Sequence, residues 1–189
     1  MKTVLLHICC GVCGSSVVER LREEGFTVKG FFYNPNIHPR QEFGKRLEVA
    51  HRTSRILDFE LIEGIYDKES WFKATEGEGN EPEGGRRCEI CFRIRLEQTY
   101  RKSCRLGADY FATTLSVSPH KDLLAINKIG KELDKERFLE RDFKKRDGFK
   151  KGIEFSKEHN LYRQNYCGCI YSRKEGEQGN LTRNNTEIH

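Results

Sequence analysis

The chain has 189 residues, enough for one domain with a real core and too few for two generous ones. Its 34 Lys and Arg against 29 Asp and Glu leave a net charge of +5, an excess that permits a nucleic-acid partner without requiring one. The apolar run within Met1–Ile8 is too short for a signal peptide or a membrane span, so no membrane association is expected, and the cytoplasmic setting it implies keeps thiols reduced or metal-bound.

Thr3 to Ile8 is β-branched and leucine-rich and reads as a buried strand, followed by a Gly-containing turn. Ser15 to Glu24 reads as a helix with Val17, Val18 and Leu21 on one face and Gly25 as its stop. Thr27 to Tyr33 is a second strand and Asn34-Pro35-Asn36 a turn. Gln41 to Leu57 spaces Phe43, Leu47, Ala50 and Ile56 for one helical face, and Phe59 to Ile62 is a third, short strand. Asp67 to Thr75 reads as a short helix and the Gly- and Glu-rich stretch Glu76 to Gly85 as a flexible surface loop. Cys88 to Arg105 is a strong helix carrying Phe92, Leu96 and Tyr100 at four-residue spacing. Tyr110 to Thr114 follows as a fourth strand, Asp122 to Leu133 as a helix, Arg137 to Leu139 as a fifth strand and Gly148 to His159 as the last helix. The alternation predicts an α/β fold, a mostly parallel sheet with helices on both faces. Residues 1–172 form one domain in this reading, and 173–189, almost without apolar residues, a polar C-terminal tail.

Eight cysteines fall in three tight groups, Cys9-Cys10-Gly11-Val12-Cys13, Cys88-Glu89-Ile90-Cys91 and Cys167-Gly168-Cys169, with Cys104 standing apart. Clusters of this kind in a chain without an export signal point to a metal or iron–sulfur site with redox thiols beside it. Cys88 and Cys91 fall on one face of a first helical turn, where the positive helix end and Arg86 and Arg87 favour thiolate. Cys9 and Cys10, in the loop at the carboxyl end of the first strand, can supply the other half of a four-sulfur site. Four thiolates suit a 4Fe–4S cluster or tetrahedral zinc, and plain core cysteines are the bland alternative. Cys167 and Cys169 either close a strained, labile disulfide across one residue or bind a second metal. Cys13 and Cys104 read as small buried hydrophobes.

Further polar stretches surround these groups. Asn34, Asn36 and His38 are candidates for substrate binding or plain turn chemistry. Thr113, Thr114, Ser116, Ser118 and His120 are candidates for contacts to a base, ribose or phosphate. Arg86, Arg87, Arg93, Arg95, Lys144, Lys145, Arg146, Lys150 and Lys151 either form a phosphate-binding surface or a solvated charged face.

The runs Leu5–Cys13, Tyr33–Pro39, Arg87-Cys88-x-x-Cys91-Phe92-x-x-Arg95-Leu96, Thr113–Lys121 and Tyr162-Arg163-Gln164-x-Tyr166-Cys167-Gly168-Cys169 together resemble the QueH family of epoxyqueuosine reductases, in order and over roughly residues 3 to 172. The resemblance implies a Rossmann-like, HUP-type fold and two-electron reduction of the epoxide of epoxyqueuosine at the wobble position of tRNA. It implies that Cys9, Cys10, Cys88 and Cys91 hold a 4Fe–4S cluster and that Cys167 and Cys169 are the redox-active pair or hold a second, mononuclear iron. An external electron donor is then required, and His7, His38, Tyr162 and His120 are candidates for the proton donor. The commoner family form has Ala-Pro where this chain has Gly11-Val12. Two rival readings remain. An ATP-dependent tRNA-modifying enzyme on the same fold needs a Ser-Gly-Gly-x-Asp-Ser loop, which Cys9–Ser16 does not provide. A zinc-stabilised RNA-binding module would be without catalysis.

Overall fold

The computed structural model describes residues 1–172, so the expected tail at 173–189 lies outside the described residues. Four strands form one parallel sheet: β1 (Thr3–His7), β2 (Thr27–Phe32), β3 (Leu61–Glu63) and β4 (Tyr110–Thr113), in the order β3-β2-β1-β4. The chain runs outward from β1 through β2 to β3, then crosses back to lay β4 on the other side of β1. That reversal makes the carboxyl ends of β1 and β4 a topological switch point, where α/β sheets open a ligand crevice.

The helices are α1 (Gly11–Glu23), α2 (Arg40–Ile56), α3 (Lys68–Ala74), α4 (Arg86–Arg105), α5 (Leu123–Asp134) and α6 (Gly148–Glu158). Alternation along the strands gives the sheet two apolar faces. Val4, Leu6 and Phe32 on one face share a core with Val17, Val18 and Leu21 of α1, which also packs on α2 and α6. Leu5, Phe31 and Phe111 point the other way, toward α4, where Ile94 packs on Leu5 and Phe31 and Tyr100 meets Phe111 at 5.3 Å between ring centres. Each fully buried Leu or Phe of this kind contributes about 1.5–3 kcal/mol. Helices therefore cover both faces, as expected.

Three local expectations are corrected. Helix α1 begins at Gly11 and not at Ser15, because the Cys10 sulfur caps it by accepting the Cys13 N–H at 3.3 Å. Arg137–Leu139 does not make a fifth strand. It gives one bridge, Phe111 to Phe138, closed by Phe111 N–H to the Arg137 carbonyl (3.0 Å) and Leu139 N–H to the Phe111 carbonyl (2.9 Å). Residues 76–85 form a series of hydrogen-bonded turns and not a loose loop. The guanidinium of Arg87, only 2% exposed, donates to the carbonyls of Glu78, Gly79 and Glu81 and ties the segment to α4.

Candidate active site and metal centre

At the end of β1 the His7 ring lies between Thr113 Oγ1 (2.9 Å) and the Tyr33 carbonyl (3.1 Å), joining the carboxyl ends of three strands. Burial, and then the nearby charge of Arg95, lowers His7 to about 4, so it stays neutral. The next turn delivers Cys9, whose N–H donates to Thr114 Oγ1 at 3.0 Å and whose sulfur accepts from the same hydroxyl at 3.2 Å. The sulfurs of Cys9, Cys10 and Cys13, all buried, lie within 4.8 Å of one another. Hydrogen bonds from the Cys10 and Cys13 thiols hold Cys9 well below the usual thiol range. Cys10 accepts from Cys13, which lowers it, but giving its own hydrogen bond to Cys9 and being buried push it up to about 11. Cys13 is pushed well up by giving hydrogen bonds to both neighbours. Three sulfurs thus share one negative charge. Lys121 is its counterion: burial, the largest influence, disfavours the ammonium, but the Cys9, Cys13 and Cys10 sulfurs together outweigh it and raise Lys121.

The second group sits at the start of α4. Cys88 accepts the Gly84 N–H at 3.3 Å. The expectation of a thiolate here is corrected, because burial outweighs that hydrogen bond and the Arg87 charge and raises Cys88. Cys91 packs with Trp71 and Cys169. Cys88, Cys91, Cys167 and Cys169 line one cavity together with Trp71, whose buried indole N–H has no hydrogen-bond partner among the described residues. A larger cavity of about 650 Å³ opens beside it, lined by Cys9, Cys13 and Cys167 together with Asn34, Asn36 and Gln164. Asn36, Arg95, His120, Lys121 and Cys167 line both cavities, so the cysteine groups face one connected crevice.

The third group is clamped from α2. Arg46, 3% exposed, pairs with Glu42 at 2.7 Å and gives its other nitrogens to the carbonyls of Cys167 and Tyr166, each at 3.0 Å. His38 N–H donates to the Gly168 carbonyl at 2.8 Å, and the Tyr166 hydroxyl donates to the His38 carbonyl. Gly168 has φ +104°, and a Cβ there would lie 2.9 Å from Ile37 Cγ1 and 3.1 Å from Arg46 Nη1. The Cys169 thiol donates to Cys167 and holds it at about 6, even though burial acts the other way, and the donation raises Cys169.

The remaining candidates separate by burial. Thr113, Thr114 and Ser116 are buried and serve the loop itself: Thr113 caps the 3-10 turn at Leu115, Ser116 donates to the Thr113 carbonyl and Thr114 holds Cys9. Ser118 and His120 line the larger cavity. The basic surface is corrected at Arg87 and Arg95, both turned inward; Arg95 is 3% exposed and its Nε donates to the Cys91 carbonyl. Arg93 pairs with Glu132 at 2.5 Å. His38 packs against Trp71 and Phe72, and Tyr162 donates to Glu42 at 2.8 Å, so of the four proton-donor candidates it is His120 that lines the crevice. Sequence reasoning missed Lys121, Arg46 and the company Cys13 keeps. Cys10 and Cys13 repeat the Cys-x-x-Cys spacing of Cys88 and Cys91, which was the available signal, and Glu42 and Arg46 stand four apart.

Buried sulfurs, an indole N–H without a partner among the described residues and inward-turned cations fit a group built of soft metal and sulfur that carries negative charge. The sequence profile of the family described as epoxyqueuosine reductase QueH matches residues 4–175. An epoxyqueuosine reductase QueH of Streptococcus pyogenes is 36% identical over 183 residues, covering 91% of this chain and 71% of that protein. One of Thermotoga maritima is 36% identical over 181 residues, covering 93% of this chain and 92% of its relative. Two solved structures share the fold at 15% identity. A predicted tRNA methyltransferase subunit of Methanocaldococcus jannaschii has a TM-score of 0.57 and covers 84% of this chain and 75% of its own. The U34-tRNA thiolase NcsA of Methanococcus maripaludis, solved with its [4Fe-4S] cluster, has a TM-score of 0.52 and covers 97% of this chain and 67% of its own. Among the described residues no helix is long and apolar enough to cross a membrane.

Proposed function

The chain belongs to the QueH family of epoxyqueuosine reductases and is an oxidoreductase, and from that premise we propose that it reduces the epoxide of epoxyqueuosine in tRNA to queuosine. The observation that carries the proposal is the crevice itself. Cys9, Cys13 and Cys167 open on a cavity of about 650 Å³ at the sheet's switch point, a size that suits a modified base. Cys9, Cys10, Cys88 and Cys91 are the residues that would hold a 4Fe–4S cluster. A cluster held there would supply one-electron transfer between an external donor and the crevice.

The chain's own residues supply the rest. Converting an epoxide to an alkene consumes two electrons and two protons and releases one water. Oxidation of the Cys167/Cys169 pair to a disulfide releases two electrons and, with Cys167 already a thiolate, the one proton of Cys169. The second proton is drawn from the crevice, and the external donor with one proton then restores the thiol–thiolate pair. The hydrogen bond from Cys169 supports Cys167 as the sulfur that carries the charge, and the Arg46–Glu42 clamp fixes the segment's backbone. In the alternative use of the same pair, both sulfurs would hold a second, mononuclear iron. Lys121 keeps a positive charge beside Cys9, and His120 lines the cavity where a proton is needed.

Purification without oxygen tests the proposal. Iron and sulfide should copurify, the protein should show a broad visible absorption band, and a stem–loop carrying epoxyqueuosine should be turned over. Cys167→Ser and Cys169→Ser should each lower turnover more than about 100-fold while the iron of the main cluster stays. A colourless zinc protein that leaves the epoxide intact would sink the proposal in favour of a zinc-stabilised RNA-binding module.

A further inference from the structure

The turn after β2 places two amide side chains deep in the crevice. Asn36 is 2% exposed and Asn34 1%. Each gives its amide nitrogen to a main-chain carbonyl, Asn34 to Ile8 at 2.9 Å and Asn36 to Cys167 at 3.5 Å. Those carbonyls fix the orientation, because turning either amide over would set oxygen against oxygen. Both Oδ1 atoms are then left buried with no hydrogen-bond partner among the described residues. Both residues line the 650 Å³ cavity, and Asn36 lines the neighbouring cysteine cavity as well. Asn34 also stands beside the His7 ring, where its amide favours the protonated form, so Asn36 has the less committed oxygen.

We infer that Asn36, with Asn34 beside it, accepts hydrogen bonds from the hydroxyl groups of the substrate's epoxide-bearing ring and so selects for that ring. The inference rests on the proposed reaction. A buried carbonyl oxygen without a donor is destabilising, and a ligand that brings a donor removes the penalty. The donor must be O–H or N–H. Arg46, Arg95 and Lys121 line the larger cavity against one carboxylate among its lining residues, Glu83, which already accepts from Ser172 at 3.0 Å. The Cys9 and Cys167 sulfurs line the same cavity, so charge alone does not choose between an amine and a hydroxyl donor; the hydroxyls are the donors found only on the epoxide-bearing ring. Hydroxyl oxygens can in turn accept from the ammonium or a guanidinium in the same cavity. The neighbouring hydroxyls of the ring satisfy all of these groups at once. The hydrogen bond from Asn36 to the Cys167 carbonyl places that recognition next to the redox pair, where the ring has to lie for its epoxide to be reduced.

The test is a double-mutant cycle on binding, measured without oxygen with the whole protein. One ligand is an anticodon stem–loop carrying queuosine, the product, which keeps the two hydroxyls and is not turned over. The other carries 7-aminomethyl-7-deazaguanosine, which lacks the ring. Asn36→Ala should weaken binding of the first about tenfold and leave the second within about twofold. Equal losses for both ligands, or no loss for either, would overturn the inference and leave the Asn36 oxygen served by ordered water alone. If Asn36→Ala does not fold, Asn36→Ser is read in the same way, with the ring-lacking ligand reporting on the rest of the site. A wild-type protein that binds both stem–loops equally and leaves epoxyqueuosine unreduced indicts the proposed reaction and not the asparagine.

Discussion

Two helix starts in this protein carry cysteines at the same spacing and treat them differently. Cys10 and Cys13 open α1, and Cys88 and Cys91 open α4. At α1 the sulfurs hydrogen-bond to one another, a single negative charge settles on Cys9, and Lys121 stands by to balance it. At α4 burial raises Cys88, and the arginines beside it are engaged elsewhere, Arg87 on the carbonyls of 78–81 and Arg95 on the Cys91 carbonyl. Spacing along a helix decides which thiols can meet. The groups packed around them decide which thiol is ionised before any metal arrives.

The largest expected effect tests whether the two ends contribute equally to one centre. In the proposed ligand set each end gives two sulfurs, Cys9 and Cys10 from one and Cys88 and Cys91 from the other. Cys10→Ala and Cys91→Ala should each lose most of the bound iron, whereas Cys13→Ala, which removes a hydrogen-bond donor to Cys9, should keep it. Iron and sulfide per chain after anaerobic purification decide the matter. Iron lost on replacing Cys13 but kept on replacing Cys10 would mean that the α1 end ligates through a different pair, and the symmetry between the ends would break.

A smaller effect probes why α1 can start where it does. Gly11 packs so tightly on α2 that a Cβ would lie 2.6 Å from the Val49 carbonyl oxygen and 2.8 Å from Thr53 Oγ1. At Gly14, one turn on, a Cβ would meet Ile8 methyl groups at 3.6 Å, an ordinary contact. Gly11→Ala should therefore cost about 1–3 kcal/mol through backbone displacement, partly offset by better helix propensity, while Gly14→Ala should stabilise by up to about 1 kcal/mol. Melting temperatures should move in opposite directions, by about 2–4 °C per kcal/mol for a chain of this size. If both variants melt alike, the close approach of α1 to α2 does not constrain the Cys9–Cys13 turn.

The contrast between the ends also marks what could be read from the sequence. The four strands were legible because runs such as Thr3–Ile8 and Tyr110–Thr114 are dense in residues that pack on both faces of a sheet. The fifth strand was not, since Arg137-Phe138-Leu139 looks extended yet follows α5 so closely that it reaches Phe111 at a single residue. The start of α1 was hidden because its capping atom is a sulfur, and Cys-Cys-Gly carries none of the oxygen side chains that usually announce a helix. The cysteine groups were legible as groups, but not their protonation. That depends on Lys121 and on burial, which only the packed chain supplies. The arginines of α4 showed the same limit: periodicity put them on a helix, and nothing in the sequence indicated that Arg87 and Arg95 turn inward.

The smallest expected effect concerns charge outside the crevice and extends the same contrast. Among the basic residues near the start of α4, Arg87 and Arg95 are internal ties, and Arg86 and Arg93 pair with Glu78 and Glu132. Lys145, Arg146, Lys150 and Lys151, just before and within α6, remain exposed on a helix that packs against α1, and Phe149 among them lines the large cavity with Cys9 and Cys13. Their ion pairs are weak and solvated: Arg146 to Glu23 at 3.9 Å and Lys150 to Glu154 at 4.0 Å. An RNA entering the crevice from this side meets these cations first. Replacing Lys144, Lys145 and Arg146 together by Glu should weaken stem–loop binding and make the log–log dependence of affinity on salt shallower by roughly 0.7–0.9 for each phosphate that is no longer neutralised. Arg93→Glu, on the α4 side, should leave that slope unchanged, and neither change should alter iron content. Equal salt slopes in the two variants would mean that the α6 residues are a solvated face like any other, and that the RNA approaches the crevice by another side.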